Sequence, residues 1–184
     1  MYKKFLMMVI VSVMCLNLCE KSFGYTPGTY GEITGVSVTA SSQMGGRLAQ
    51  YIIDGSGIGI FGAYTHHIDA GQPVFWLSNN TNPANEWLEF DLGRVYNLAS
   101  AKIWNYNERA DNSDTLPADW TKGRGVKNMD IQVAGSNHVF TNFANVNLNP
   151  GGGGQPWYDT VALVTDEIRY VKFNINSNLA SDYP

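Results

Sequence analysis

Glu86-Trp87-Leu88-Glu89-Phe90-Asp91-Leu92-Gly93 alternates polar and apolar residues with a period of two. On an extended chain Leu88, Phe90 and Leu92 face one way, and Trp87, Glu89 and Asp91 the other. That is the pattern of a strand half buried in a sheet. Three more phrases follow in order: Ile103-Trp104-Asn105-Tyr106-Asn107-Glu108, Arg124-Gly125-Val126-Lys127, and Arg169-Tyr170-Val171-Lys172-Phe173-Asn174-Ile175. Strand-like runs are predicted at Ile33 to Ala40, Phe75 to Ser78, Trp87 to Leu92, Leu98 to Asn105, Val126 to Ala134, Asp159 to Leu163 and Tyr170 to Ile175. Clusters of Gly, Asn, Asp, Ser and Pro separate them. No window keeps a 3.6-residue period over three turns. Arg47 to Ile53 reads as a helical turn leading into Asp54-Gly55. Many short strands between turns argue an all-β sandwich or barrel, and no internal repeat is apparent.

The chain has 184 residues, which suits one domain with an appendage. The appendage is at the front. Lys3 and Lys4 precede the apolar run from Phe5 to Leu18, and Ser22-Phe23-Gly24 offers small residues for cleavage. Residues 1–24 therefore read as a secretory signal peptide, 25–32 as a lead-in and 33–184 as the domain. The apolar run falls short of the roughly 20 residues that span a bilayer. The expected location is extracellular or periplasmic. Cys15 and Cys19 fall inside the leader, where they are discarded on cleavage. The rival reading makes one of them a lipid anchor, but Met14 and Leu18 stand where lipoprotein signals prefer a small residue. The folded domain relies on a packed core rather than disulfides. Cleavage removes three lysines and one glutamate, taking the net charge from −4 to about −6. An acidic domain without a basic stripe has no general attraction for nucleic acid.

In combination and in this order, the four phrases resemble the discoidin family, also called F5/8 type C. Its bacterial members include carbohydrate-binding modules of the galactose-binding-like fold, similar to family 32. The resemblance runs from about Ile33 to the end. It implies an all-β jelly-roll β-sandwich that binds ligands and does no chemistry. Family members usually continue into a last strand containing Gly-Leu-Ser-Glu. The sequence here ends at Ser181-Asp182-Tyr183-Pro184, so the expectation is a domain lacking that strand.

Catalytic patterns are missing: there is no H-E-x-x-H, no G-x-S-x-G, no P-loop and no cysteine nucleophile. Asp111, Asp114 and Asp119 share one loop, as solvated turn residues do. The expectation is no enzymatic activity. Three long loops, Gly55 to Pro73, Arg109 to Gly123 and Asn145 to Pro156, are the natural place for binding residues. Vicinal hydroxyls of a sugar want planar bidentate partners, and its C–H face wants an aromatic ring. By match to carbohydrate-binding relatives, the ligand residues are Asn107, Glu108 and Arg109, leaving the strand. Arg124 returns beside them from the far end of the loop, and His66 comes from the loop where relatives place a histidine. Trp120 and Trp157 sit among Gly, Pro and Asp, as exposed stacking residues do. Competing readings stand for four residues. Trp104 and Tyr106 suit the core or rim, Asn105 suits backbone groups at the strand end, and Arg124 suits an ion pair with Asp91 or Glu108.

The resemblance also implies a structural calcium ion at the Ile53-Asp54-Gly55-Ser56-Gly57 turn, with Asp54 as carboxylate ligand. The family's second carboxylate lies in the strand this sequence lacks, and Val74 stands where a hydroxyl ligand aligns. The expected function is a secreted carbohydrate-binding module that recognises a terminal sugar through loops at one end of the sandwich. One rival is an accessory domain of a larger secreted enzyme. Another is an adhesion module for protein or lipid surfaces, with Ile58-Gly59-Ile60-Phe61-Gly62 as a tip. No basic residue flanks that tip, which argues against anionic lipid.

Overall fold

The computed structural model describes residues 33–54, 75–79, 82–106, 122–150 and 158–181. The signal peptide and lead-in expected at 1–32 lie outside these residues. Among the described residues five antiparallel strands form one sheet: β1 (Ser37–Ala40), β2 (Trp87–Ile103), β3 (Val126–Ala134), β4 (Thr141–Asn147) and β5 (Asp159–Asn178). Their order is β1-β2-β5-β3-β4. Every regular helical piece among the described residues is a short 3-10 turn. One of them, Ala49–Ile52, sits where the helical turn is expected.

The alternation behaves as read. Leu88, Phe90 and Leu92 are buried, and so are Met129, Ile131 and Val133 on β3 and Val171, Phe173 and Ile175 on β5. Phe90 and Phe173 meet edge to face with ring centroids 5.2 Å apart. Each fully buried side chain of this size stabilises the fold by roughly 1.5–3 kcal/mol.

Four expectations need correction. Trp87 to Leu92 and Leu98 to Ile103 are one continuous strand, which stops two residues short of the expected end at Asn105, and Asp159 to Leu163 and Tyr170 to Ile175 are another. The residues between them read as turns because they are polar and glycine-bearing. They form β-bulges instead, with register shifts between Asp91 and Ser100, Gly93 at φ +82° and Glu167 at φ 59°. Beyond the bulges, Leu98, Ala101, Ile103, Val161 and Leu163 join the same core as Leu88, Phe90, Ile131 and Phe173. One long ribbon thus lines the same core on both sides of its bulges. Phe75 to Ser78 is not a strand. It is fully buried but hydrogen-bonds to an irregular segment, with Met44 N–H donating to the Leu77 carbonyl at 2.7 Å. β1 starts at Ser37 rather than Ile33, after Gly35 at φ +75°. Finally, β4 occupies residues that read partly as loop from Asn145 onward. It is a largely exposed edge strand, so it lacks a strong apolar alternation.

Candidate functional site

β2 ends at Ile103, and the chain continues through Trp104, Asn105 and Tyr106, all buried. Asn105 is 3% exposed, and its carboxamide is saturated. Its Nδ2 donates to the Val126 carbonyl at 2.7 Å and the Asn149 carbonyl at 2.9 Å. Its Oδ1 accepts from the Tyr106 and Val126 N–H groups, both at 2.9 Å. A short polar side chain at a strand end can satisfy backbone groups in this way. Asn149 closes a second loop stem: its N–H and Nδ2 donate to the Asp159 carboxylate at 2.9 and 2.6 Å. One buried amide therefore stitches together the exit of β2, the entry of β3 and the segment between β4 and β5. The stems of segments 107–121 and 150–158 converge on it.

Gly125 makes the close approach possible. A Cβ there would lie 2.8 Å from Asn105 Oδ1 and 3.1 Å from Leu179 Cδ1. The Gly125 carbonyl accepts the Leu179 N–H at 2.9 Å, which pins the 3-10 turn Leu179–Ser181 to the same node.

Cationic and aromatic side chains surround the clamp. Arg124 ends the 3-10 turn Lys122–Arg124 and is half-buried. Its Nη1 donates to Tyr106 Oη at 3.0 Å, and its guanidinium carbon lies 5.9 Å from the Tyr106 ring centroid. Tyr106 meets Phe75 edge to face at 6.0 Å, and Arg47 lies 4.1 Å over the Phe75 ring. Across the stem, Trp104 and Tyr158 are 5.2 Å apart, with Lys102 Nζ 4.8 Å over the Tyr158 ring. Tyr158 is 41% exposed and was not among the candidates from sequence. Its only local signal is an aromatic ring beside the Asp159 stem, and the adjacent Trp157 carries the stronger one.

Arg124 is thus placed beside the point where the chain leaves β2. Asn105, Trp104 and Tyr106 are structural. The alternative pairing of Arg124 with Asp91 does not occur, because Asp91 is held by Arg169. The Arg169 Nε and Nη2 donate to its two oxygens at 2.9 and 3.0 Å. That hydrogen-bonded pair, aided by the Gly93 N–H, holds the Asp91 carboxyl below its ordinary value against the opposing effect of burial. Asn107, Glu108, Arg109, Trp120 and His66 lie outside the described residues. Asp54 stands at an exposed bend after Ala49–Ile52. Among the described residues no group of three or more His, Cys, Asp or Glu side chains is placed to hold a metal ion.

No family model and no curated protein matches the chain. Solved structures do. The family 89 glycoside hydrolase from Clostridium perfringens in complex with PUGNAc superposes with a TM-score of 0.54 at 21% identity, over 82% of this chain and 13% of that one. The CBM32-5 module from Clostridium perfringens, in complex with GalNAc-β-1,3-galactose, superposes at 0.53 and 13% identity, over 78% and 86%. A fucose-binding module from Streptococcus pneumoniae, SpX-3, superposes at 0.50 and 15% identity, over 79% and 86%. The chain has the galactose-binding-like, or discoidin, fold. This galactose-binding-like domain spans about an eighth of the hydrolase chain and most of the two module chains. Its clamp at Asn105 lies where the β2 exit, the β3 entry and the β4–β5 connection meet.

Proposed function

We propose that this chain is a secreted, non-catalytic carbohydrate-binding module that takes a terminal sugar at the rim above Asn105. One observation carries the reading. On a sandwich scaffold, a fully satisfied buried amide joins the stems of two loops, and beside it a guanidinium is oriented by the Tyr106 hydroxyl. Fixed donors held at loop stems are what weak recognition of hydroxyls requires, because ordering costs are met before the ligand arrives. Asn107, Glu108 and Arg109 leave from Tyr106 and would extend the polar fork. Trp120, His66 and Tyr158 are the proposed contributors of ring surface. A single shallow site binds weakly, and neighbouring modules would add avidity. A structural calcium ion at the Asp54 turn belongs to the same proposal; thermal unfolding with and without a chelator reads it directly.

The test is a glycan array probed with the purified protein, its Arg124→Ala variant and its Tyr106→Phe variant. Loss of a charge-assisted hydrogen bond should weaken retention about tenfold or more in Arg124→Ala, with a smaller loss in Tyr106→Phe. Unchanged retention by both variants, with folding intact, removes the rim from consideration. The low share of the hydrolase that matches this chain favours a second reading, an appended module of a larger secreted enzyme. Coding sequence downstream of Pro184 would support it.

A further inference from the structure

The outer face of the sheet divides into two halves of different chemistry. Toward β2 it carries ion pairs: Arg169 with Asp91, and Lys172 and His138 with Glu89. Toward the β4 edge it carries carboxamides. Outward from β3 come Asn128, Asp130 and Gln132; from β4, Asn142, Asn145 and Asn147; from β5, Asn174 and Asn176. The register shift between Ile131 and Gln132 skips Phe143, which packs against the core, and so leaves Asn142 on the same side as Asn145 and Asn147.

These amides are organised. Asn128 is the hub: its Nδ2 donates to Asn145 Oδ1 and Asn147 Oδ1, both at 2.8 Å. Its Oδ1 accepts from Asn145 Nδ2 at 3.1 Å and Asn176 Nδ2 at 2.8 Å. Asn145 also donates to Asp130 at 2.6 Å, and Gln132 to Asn142 at 2.7 Å. The hub is saturated, while the exposed amides around it are fixed and retain hydrogen-bonding capacity. Gln132 keeps its Oε1, Asn147 its N–H groups and Asn176 its carbonyl among the described contacts.

An exposed edge strand is normally blunted with charge, since uncharged asparagine ladders invite association. Thr141–Asn147 carries none. We infer that this amide field is a second binding surface, and that its occupant is a neutral polysaccharide chain lying along the β3–β4–β5 face. The argument is complementarity. Apart from Asp130, which Asn145 Nδ2 holds at 2.6 Å, the layer is made of carboxamides, and these offer both a donor and an acceptor to hydroxyls. Trp87, paired in register with Asn174, marks the inner margin, where Lys172 Nζ lies 4.2 Å over its ring. The field also runs to the rim, because Asn147 is followed by Leu148 and Asn149 of the clamp. The inference goes beyond the rim site and does not depend on it.

Native affinity electrophoresis tests it, with galactomannan, xyloglucan or mixed-linkage β-glucan in the gel. The comparison uses the wild type, Arg124→Ala and the triple variant Asn145→Ala, Asn147→Ala, Asn176→Ala. Thermal melts show that each is folded. At least one polymer should retard the wild type. Arg124→Ala and excess free galactose or fucose should leave that retardation in place. The triple variant should lose about tenfold or more in affinity. Equal retardation of the triple variant overturns the inference, as does a wild type that no neutral polymer retards. Concentration-dependent self-association that the triple variant loses also overturns it, by assigning the face to a second copy. A null glycan array beside positive electrophoresis would sink the rim reading and leave this one standing.

Discussion

Asn105 and Asn128 are the same residue, and each is saturated with hydrogen bonds at strand β3. Asn105 binds the backbone of Val126 from within, at 3% exposure. Asn128, two positions along, binds Asn145, Asn147 and Asn176 from outside, half in water. Water makes the difference. Inside, a lost partner leaves backbone groups with nothing to replace it, and outside, solvent takes its place. The buried amide therefore carries stability and loop placement, while the outer one carries only the arrangement of a surface.

The comparison can be broken at four points. Asn105→Ala strands the Val126 and Tyr106 N–H groups and two carbonyls. It should cost about 3 kcal/mol or more in urea unfolding, and a variant close to wild type would refute the clamp. Gly125→Ala pushes a methyl to 2.8 Å from Asn105 Oδ1. It should cost about 1–3 kcal/mol by overpacking, and coupling with Asn105→Ala in a double-mutant cycle would sharpen the assignment. Asn128→Ala should stay within about 0.5 kcal/mol of wild type. A large loss there would erase the contrast. The smallest effect belongs to the ion-paired half of the outer face. Because Asp91 titrates below its unfolded value of 3.8, its contribution is present above that pH and is lost as pH falls through the folded value. Asp91→Asn should lower stability slightly at neutral pH, and the difference from wild type should vanish as pH falls below about 4.

Much of this was legible in advance. Leu88, Phe90, Leu92, Met129, Ile131, Val171 and Phe173 announce their burial by period alone, because a strand can bury only alternate residues. β3 was read with its observed ends. The bulges were not legible: Gly93 and its neighbours have the composition of a turn, and only pairing with β5 shows the ladder resuming. β4 leaves little trace in the sequence because an exposed edge strand needs no apolar face. At the candidate site, Arg124 is legible from its place at the loop's end, and Tyr158 is not. Asn105 stood undecided between ligand and backbone partner, since one asparagine serves either role and local sequence does not separate them.

By itself the sequence determined which residues avoid water, and with them the all-β class, the single core and the polar loops. Tertiary structure alone decided that two pairs of apparent strands are single bent ones, that one asparagine is sealed inside and another heads an open amide field. Burial and hydrogen-bond partners depend on segments far apart in the chain. Asn105 meets Val126 and Asn149, and Asn128 meets Asn176, so no local window contains the answer.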